Sequence, residues 1–241
     1  LLLGRVGPFL RLYRCPRPAA NRGPPPNEEQ LRDLLLRLRA RGLSYVGLTW
    51  SNRNAFAGVA GEAVGLKPAG RRLVLLLREL GLLIDLSHAS DQSVRDVRAL
   101  LGRDYPLFFS HSSARALCDH PRNLGDSLLQ LVRETGGLVA VNFHSAYITC
   151  SSRARRADVV AHVQHIVRVA GIQSVALGGD FDGLIQLPAG LGGPPDIYRL
   201  AEDLHAGGMS YSDLERLLYR NARRVLARAQ ALRKTQSQSE R

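Results

Sequence analysis

From Glu28 onward the chain alternates helical and strand-like segments, and this recurs five times. Leu31, Leu34, Leu35 and Leu38 fall at i, i+3, i+4 and i+7, one face of a helix, which Gly42 ends. Ser44–Thr49 is then short and apolar, like a buried strand. Leu73, Leu76, Leu77 and Leu80 repeat the helical spacing up to Gly81, and Leu82–Leu86 reads as the second strand. Ser90 is placed to cap a helix containing Val94, Val97 and Leu101, with a strand at Leu107–Ser110 after it. Leu128, Leu131 and Val132 mark a helix closed by Gly136-Gly137, followed by the strand Leu138–Phe143. Val159, Val163, Ile166 and Val167 mark another, closed by Gly171, before the strand Ser174–Gly178. A helix is predicted around Ile197–Leu204, and Ser212 with Glu215 has the spacing of a capping box before Leu214, Leu217 and Leu218. Strands that are apolar throughout belong to parallel sheets covered on both faces. The fold class is therefore α/β, either a doubly wound sheet or a barrel.

The polar residues choose between the two. Leu82–Leu86 runs into Ser87-His88, Leu107–Ser110 into His111, Leu138–Val141 into Asn142, and Ser174–Gly178 into Gly179-Asp180-Phe181-Asp182. Chemistry at the carboxyl ends of successive strands is the habit of the (β/α)8, or TIM, barrel, whereas a doubly wound sheet gathers its site at one switch point. No glycine-rich phosphate loop follows any strand. A full barrel needs eight strands, so five that fill most of the chain predict an incomplete barrel without its first three.

The remaining bounds come from composition. The 241 residues are 45% hydrophobic, enough for one sizeable core. No apolar run reaches the ~18 residues of a membrane span. The formal charge of +12 invites a nucleic-acid reading, but the only lysines are Lys67 and Lys234, and the arginines are spread along the chain. The clusters Arg153/Arg155/Arg156 and Arg220/Arg223/Arg224 fit solvated helix faces, so no nucleic-acid partner is expected. Residues 1–27, with Pro24-Pro25-Pro26, read as an irregular segment and linker, 28–230 as the barrel portion, and 231–241 as a polar tail. The start at Leu1 lacks an initiator Met and makes a poor signal peptide, and the polar end is not a lipid-anchor signal.

His88 and His111 close consecutive strands, so their imidazoles are expected a few ångströms apart over the barrel mouth, as metal ligands. Either alone reads more simply as a buried structural histidine. Two imidazoles do not complete a catalytic zinc site, which takes about three protein ligands. Alternation along an extended segment would point Asp180 and Asp182 the same way, for proton transfer or an ammonium group; a turn-capping role is the alternative. Arg122, eleven residues after His111, suits a carboxylate, though a surface arginine is the simpler reading of the sequence alone. Cys118 and Cys150 each lie seven residues past a strand end, on loops opening to one face. A disulfide, which would imply an oxidising compartment, and two free thiols both remain open, with Cys15 left over. His162 and His165 share a helix face and read as structural.

Four stretches in order carry a resemblance: Leu83-Ile84-Asp85-Leu86-Ser87-His88, Phe109-Ser110-His111-Ser112-Ser113-Ala114, Arg122-Asn123 and Gly178-Gly179-Asp180-Phe181-Asp182-Gly183. From about Leu31 to Leu226 the chain resembles the membrane (renal) dipeptidases, zinc metallopeptidases on a metal-dependent-hydrolase (β/α)8 barrel. The resemblance implies a binuclear zinc centre with His88 and His111 on one zinc. It also implies Arg122 holding the carboxylate of a dipeptide substrate, and Asp180 handling its amine and the proton transfer. Cys118 and Cys150 match the family's intrachain disulfide. Mammalian members are disulfide-linked homodimers at the cell surface, joined to the membrane through a lipid (GPI) anchor.

Two departures accompany it. The family's first-strand His-x-Asp motif and its bridging glutamate would precede Glu28, and residues 1–27 contain no histidine. Trp50 stands where mammalian enzymes have a substrate-contacting histidine, and indole neither accepts a hydrogen bond nor ligates metal. The expectation is a zinc metallo-dipeptidase by descent, with this chain alone binding zinc weakly and hydrolysing dipeptides poorly. The alternative is a catalytically inactive relative acting as a binding protein.

Overall fold

The structure, a computed structural model, describes residues 27–151 and 153–239 of the 241. Cys15, the proline run and nearly all of the expected 1–27 segment lie outside the described residues.

Helix α1 (Glu28–Ala40) starts on a capping box in which Asn27 and Gln30 exchange side-chain and backbone hydrogen bonds. Strand β1 (Tyr45–Gly47) and helix α2 (Pro68–Glu79) follow, with proline in the first turn of α2, where its missing N–H costs nothing. Next come β2 (Leu83–Asp85), α3 (Asp91–Leu101), β3 (Phe108–Phe109), α4 (Asp126–Glu134), β4 (Leu138–Val141) and the short α5 (Ser145–Ile148). The chain continues through α6 (Arg156–Ala170), β5 (Val175–Leu177), α7 (Ile197–Ala206) and α8 (Tyr211–Glu215). A π-helical turn at Arg216–Arg220 leads into α9 (Asn221–Ser239).

All five strands pair in parallel in chain order, β1-β2-β3-β4-β5. Among the described residues the sheet is open, with β1 and β5 at its edges. This is the sequential strand order of a (β/α)8 barrel, not the reversing order of a doubly wound sheet. Ile84, Phe109, Val139, Val141 and Val175 face one side and are buried with the leucines and valines of α2, α3, α4 and α6. Leu83, Phe108, Leu138, Ala140 and Ala176 face the other, where Val225 and Ala229 of α9 cover them. Both faces of β2, β3 and β4 are buried, which accounts for their apolarity, while the edge strand β1 leaves Tyr45 exposed.

Two expectations need correction. The cap of α8 is Ser210, whose side chain accepts from the Asp213 backbone N–H, not Ser212 with Glu215; the helix begins two residues earlier than the leucine spacing suggests. The polar tail from residue 231 is helical as far as Ser239, where α9 ends. The Arg220/Arg223/Arg224 cluster is not wholly solvated. Arg224 donates to the carbonyls of Gly136 (2.7 Å), Gly137 (3.3 Å) and Gln173 (2.8 Å), and Arg228 donates to Thr135 O (2.7 Å). The carbonyls of Thr135, Gly136 and Gly137 lie where α4 ends, and cations there also meet the negative end of the helix dipole; that of Gln173 lies in the turn before β5. In the other cluster, Arg156 pairs with Asp203.

Candidate metal and substrate site

Beyond β2 the chain turns sharply at His88, whose φ of 68° is left-handed and unusual for a side chain with a Cβ. The turn is held by Ala60 N–H donating to His88 O (2.8 Å) and Ser87 N–H donating to Asp85 Oδ1 (3.0 Å). It aims the imidazole of His88 at that of His111, past the end of β3. The two Nε2 atoms are 2.9 Å apart, with ring centroids at 4.9 Å and planes at 63°. Two metal–nitrogen bonds of about 2.0–2.1 Å span this separation at an angle of about 90°, so one zinc fits between the rings with small adjustment. Burial, then the neighbouring Arg122 and His111, push the His88 pKa down to about 2. Burial also lowers that of His111, against the opposing pull of Asp85. Neutral imidazoles are what a metal requires. Among the described residues no group of three histidines, cysteines or acids gathers around one point, so these two rings would make only part of a ligand set.

Arg122 is 7% exposed, so it is not the surface arginine that the sequence alone favoured. Its Nη2 donates to His111 O (3.1 Å), and its guanidinium lies 5.5 Å from the centre of the Tyr147 ring. Burial pulls its pKa below the ordinary value, against Tyr147, Asp85 and Asp180. Its buried Nε has no partner among the described residues. Asn123 next to it donates from Nδ2 to Cys118 O (2.9 Å) and Tyr147 O (2.7 Å), and Cys118 forms a disulfide with Cys150. The loops after β3 and β4 are thus tied together around Arg122.

Asp180 also has a left-handed backbone, with φ of 55°. Its Oδ2 is 3.4 Å from Asn142 Nδ2, and its charge is felt at both His111 and Arg122. Gly178 lets β5 approach closely; a Cβ there would lie 2.1 Å from Ser110 O. The expected pairing of Asp180 with Asp182 does not occur. The chain turns after Asp180, so side-chain alternation is lost and Asp182 is exposed. Trp50 is 51% exposed, with its ring 6.4 Å from that of His88, a wall at the rim of the mouth. His162, read as structural, bonds Ala114 N and Ile148 O, and His165 pairs with Asp126.

Sequence reasoning gave no role to Asp85, Ser110 or Tyr147, and placed Asn142 at a strand end without a partner. Asp85 carried a readable signal, being an acidic residue inside an apolar parallel strand. Tyr147 carried none, because its position depends on the short helix α5.

The membrane dipeptidase (peptidase family M19) model matches residues 29–240. The chain belongs to this family. An uncharacterized dipeptidase of Schizosaccharomyces pombe is 40% identical over 194 residues, covering 76% of this chain and 46% of its own. The dipeptidase aclJ of Aspergillus oryzae is 35% identical over 191 residues, covering 77% and 45%. The chain spans about half the length of these two fungal relatives. Among solved structures, a metallopeptidase from Rhodobacter sphaeroides, bound to a phosphinate mimic of the dipeptide L-Ala-D-Ala, is 30% identical. It superposes with a TM-score of 0.75 over 82% of this chain and 59% of its own.

Proposed function

We propose that this dipeptidase-family chain supplies part of the active site of a zinc-dependent hydrolase of dipeptides. The observation that carries this reading is the convergence of His88 and His111 at 2.9 Å, between Arg122 and Asp180, at the carboxyl ends of parallel strands. His88 and His111 would hold one zinc, which when bound supplies Lewis acidity and hydroxide at neutral pH. Arg122, its guanidinium held beside His111 and Tyr147, takes the carboxylate of the dipeptide, as the likeness to an enzyme bound to an L-Ala-D-Ala mimic supports. Asp180, oriented by Asn142, takes the amine and moves a proton. Trp50 closes one side of the mouth by contact alone. The Cys118–Cys150 bond supports an oxidising, extracytoplasmic location. Dimerisation and a lipid anchor belong to the same proposal; no helix among the described residues is long and apolar enough to cross a membrane.

Equilibrium dialysis of the chain against zinc, alongside His88→Ala/His111→Ala, tests the centre. Two imidazoles predict weak binding that the double variant abolishes, and unchanged zinc in the variant would refute the site. Release of alanine from L-Ala-D-Ala in the same samples separates a hydrolase from a binding protein, which would retain the dipeptide uncleaved.

A further inference from the structure

Asp85 is an acid in an otherwise apolar strand and is only 6% exposed. Its Oδ1 accepts from the backbone N–H groups of Ser87 and Ser110, both at 3.0 Å. Its Oδ2 accepts from Ser110 Oγ at 2.5 Å. Turn formation accounts for the first oxygen. The second leads elsewhere, because Ser110 Oγ is also 2.7 Å from His111 Nδ1.

Counting protons fixes the direction of this chain. A serine hydroxyl has one proton, and a carboxylate can only accept. With that proton on the bond to Asp85, Ser110 Oγ faces His111 with a lone pair, so the hydrogen between them sits on Nδ1. Ser87 Oγ adds a second hold, accepting from His111 N–H at 3.0 Å while lying 3.3 Å from Ser110 Oγ. Among the described residues His88 has no such support: its Nδ1 meets only Ser51 Oγ, at 3.5 Å.

We propose that Asp85, acting through Ser110 Oγ, is a positioning residue that fixes His111 as its Nδ1–H tautomer, with the Nε2 lone pair aimed at the metal position. The metal position rests on the reading above; the tautomer does not. His88 then carries the hydrogen of the 2.9 Å contact on its own Nε2, and it is the ring that changes tautomer when a cation enters. A hydrogen-bonded carboxylate behind a ligating imidazole also raises its basicity.

The test is a long-range proton–nitrogen correlation spectrum of the full ¹⁵N-labelled chain after chelation, with His111 assigned by its loss in His111→Gln. The expected wild-type result is a protonated Nδ1 and a bare Nε2. Asp85→Asn should invert it. Oδ1 must still serve the two backbone N–H groups, so the new amide nitrogen donates to Ser110 Oγ and turns the serine proton onto Nδ1. Ser110→Ala should leave a mixture, and Ser110→Thr should restore the wild-type pattern. Zinc affinity should fall about 10- to 100-fold in Asp85→Asn. A wild-type His111 protonated on Nε2, or an unchanged tautomer in both Asp85→Asn and Ser110→Ala, overturns the proposal. If Asp85→Asn does not fold, the wild-type and Ser110→Ala spectra decide. Zinc titration of the same sample separates the two readings. An Nδ1–H His111 that ignores zinc upholds the positioning role and sinks the metal centre, and an Nε2–H His111 that binds zinc does the reverse.

Discussion

Replacing His162 by alanine should loosen both loops that frame the site. His162 is 1% exposed, on the inner face of α6. Its Nδ1 accepts from Ala114 N–H (3.0 Å), in the loop after β3, and its Nε2–H donates to Ile148 O (2.8 Å), at the end of α5. Both ring nitrogens are used only by the neutral imidazole. The alanine variant leaves two buried backbone groups without partners, at about 1–3 kcal/mol each, and opens a cavity besides. A loss of about 3–5 kcal/mol follows, a large part of the ~5–15 kcal/mol of a typical domain. Burial lowers the pKa of His162 in the folded chain, so below about pH 6.5 the unfolded chain binds the extra proton. Its stabilising contribution is complete above that pH and is lost as pH falls. His88 and His111 act in the same direction. The share of His162 is therefore the difference between wild type and the non-titrating His162→Gln, approaching about 1.4 kcal/mol per pH unit. Urea unfolding of the three proteins between pH 5 and 8 measures it. A loss below about 1 kcal/mol in the alanine variant, or parallel pH profiles for wild type and His162→Gln, would refute the two-bond account.

Reducing the Cys118–Cys150 bond, which spans 32 residues, should cost about 3–4 kcal/mol on the loop-entropy model, read as a lower urea midpoint. Arg122 should also become easier to label with a guanidinium-specific dicarbonyl, because its loop is then held to α5 by the Asn123–Tyr147 hydrogen bond without the covalent link. Arg224→Met strips hydrogen bonds from Gly136, Gly137 and Gln173 and should cost about 1–3 kcal/mol while leaving zinc binding unchanged. Gly178→Ala drives a Cβ to within 2.1 Å of Ser110 O, so β3 and β5 must part. A loss of several kcal/mol in thermal unfolding is expected, with about 1–3 kcal/mol the usual cost of milder overpacking.

What the sequence exposed was whatever repeats. Leucines at helical spacing and apolar runs placed all five strands within a residue or two, and the polar residue ending each run located the mouth. His88, His111 and Asp180 share one neighbourhood because equivalent positions on parallel strands must, and the loop after β3 carries Arg122 to them. What it hid depends on a single dihedral or a distant contact. The turn at Asp180 breaks the alternation that would have aligned Asp182, and no pattern announces a left-handed aspartate. The Ser210 cap was missed because the leucine spacing starts a turn too late to show it. Arg224 looked solvated because the helix end it serves lies almost ninety residues away in the chain.

His88 and Asp180, the two groups that most define the chemistry, sit where the backbone favours glycine or asparagine. Any selection that rewards robustness alone, such as directed evolution for heat tolerance, will drift toward those residues at both positions. Thermal hardening and retention of the site therefore have to be screened together in this protein.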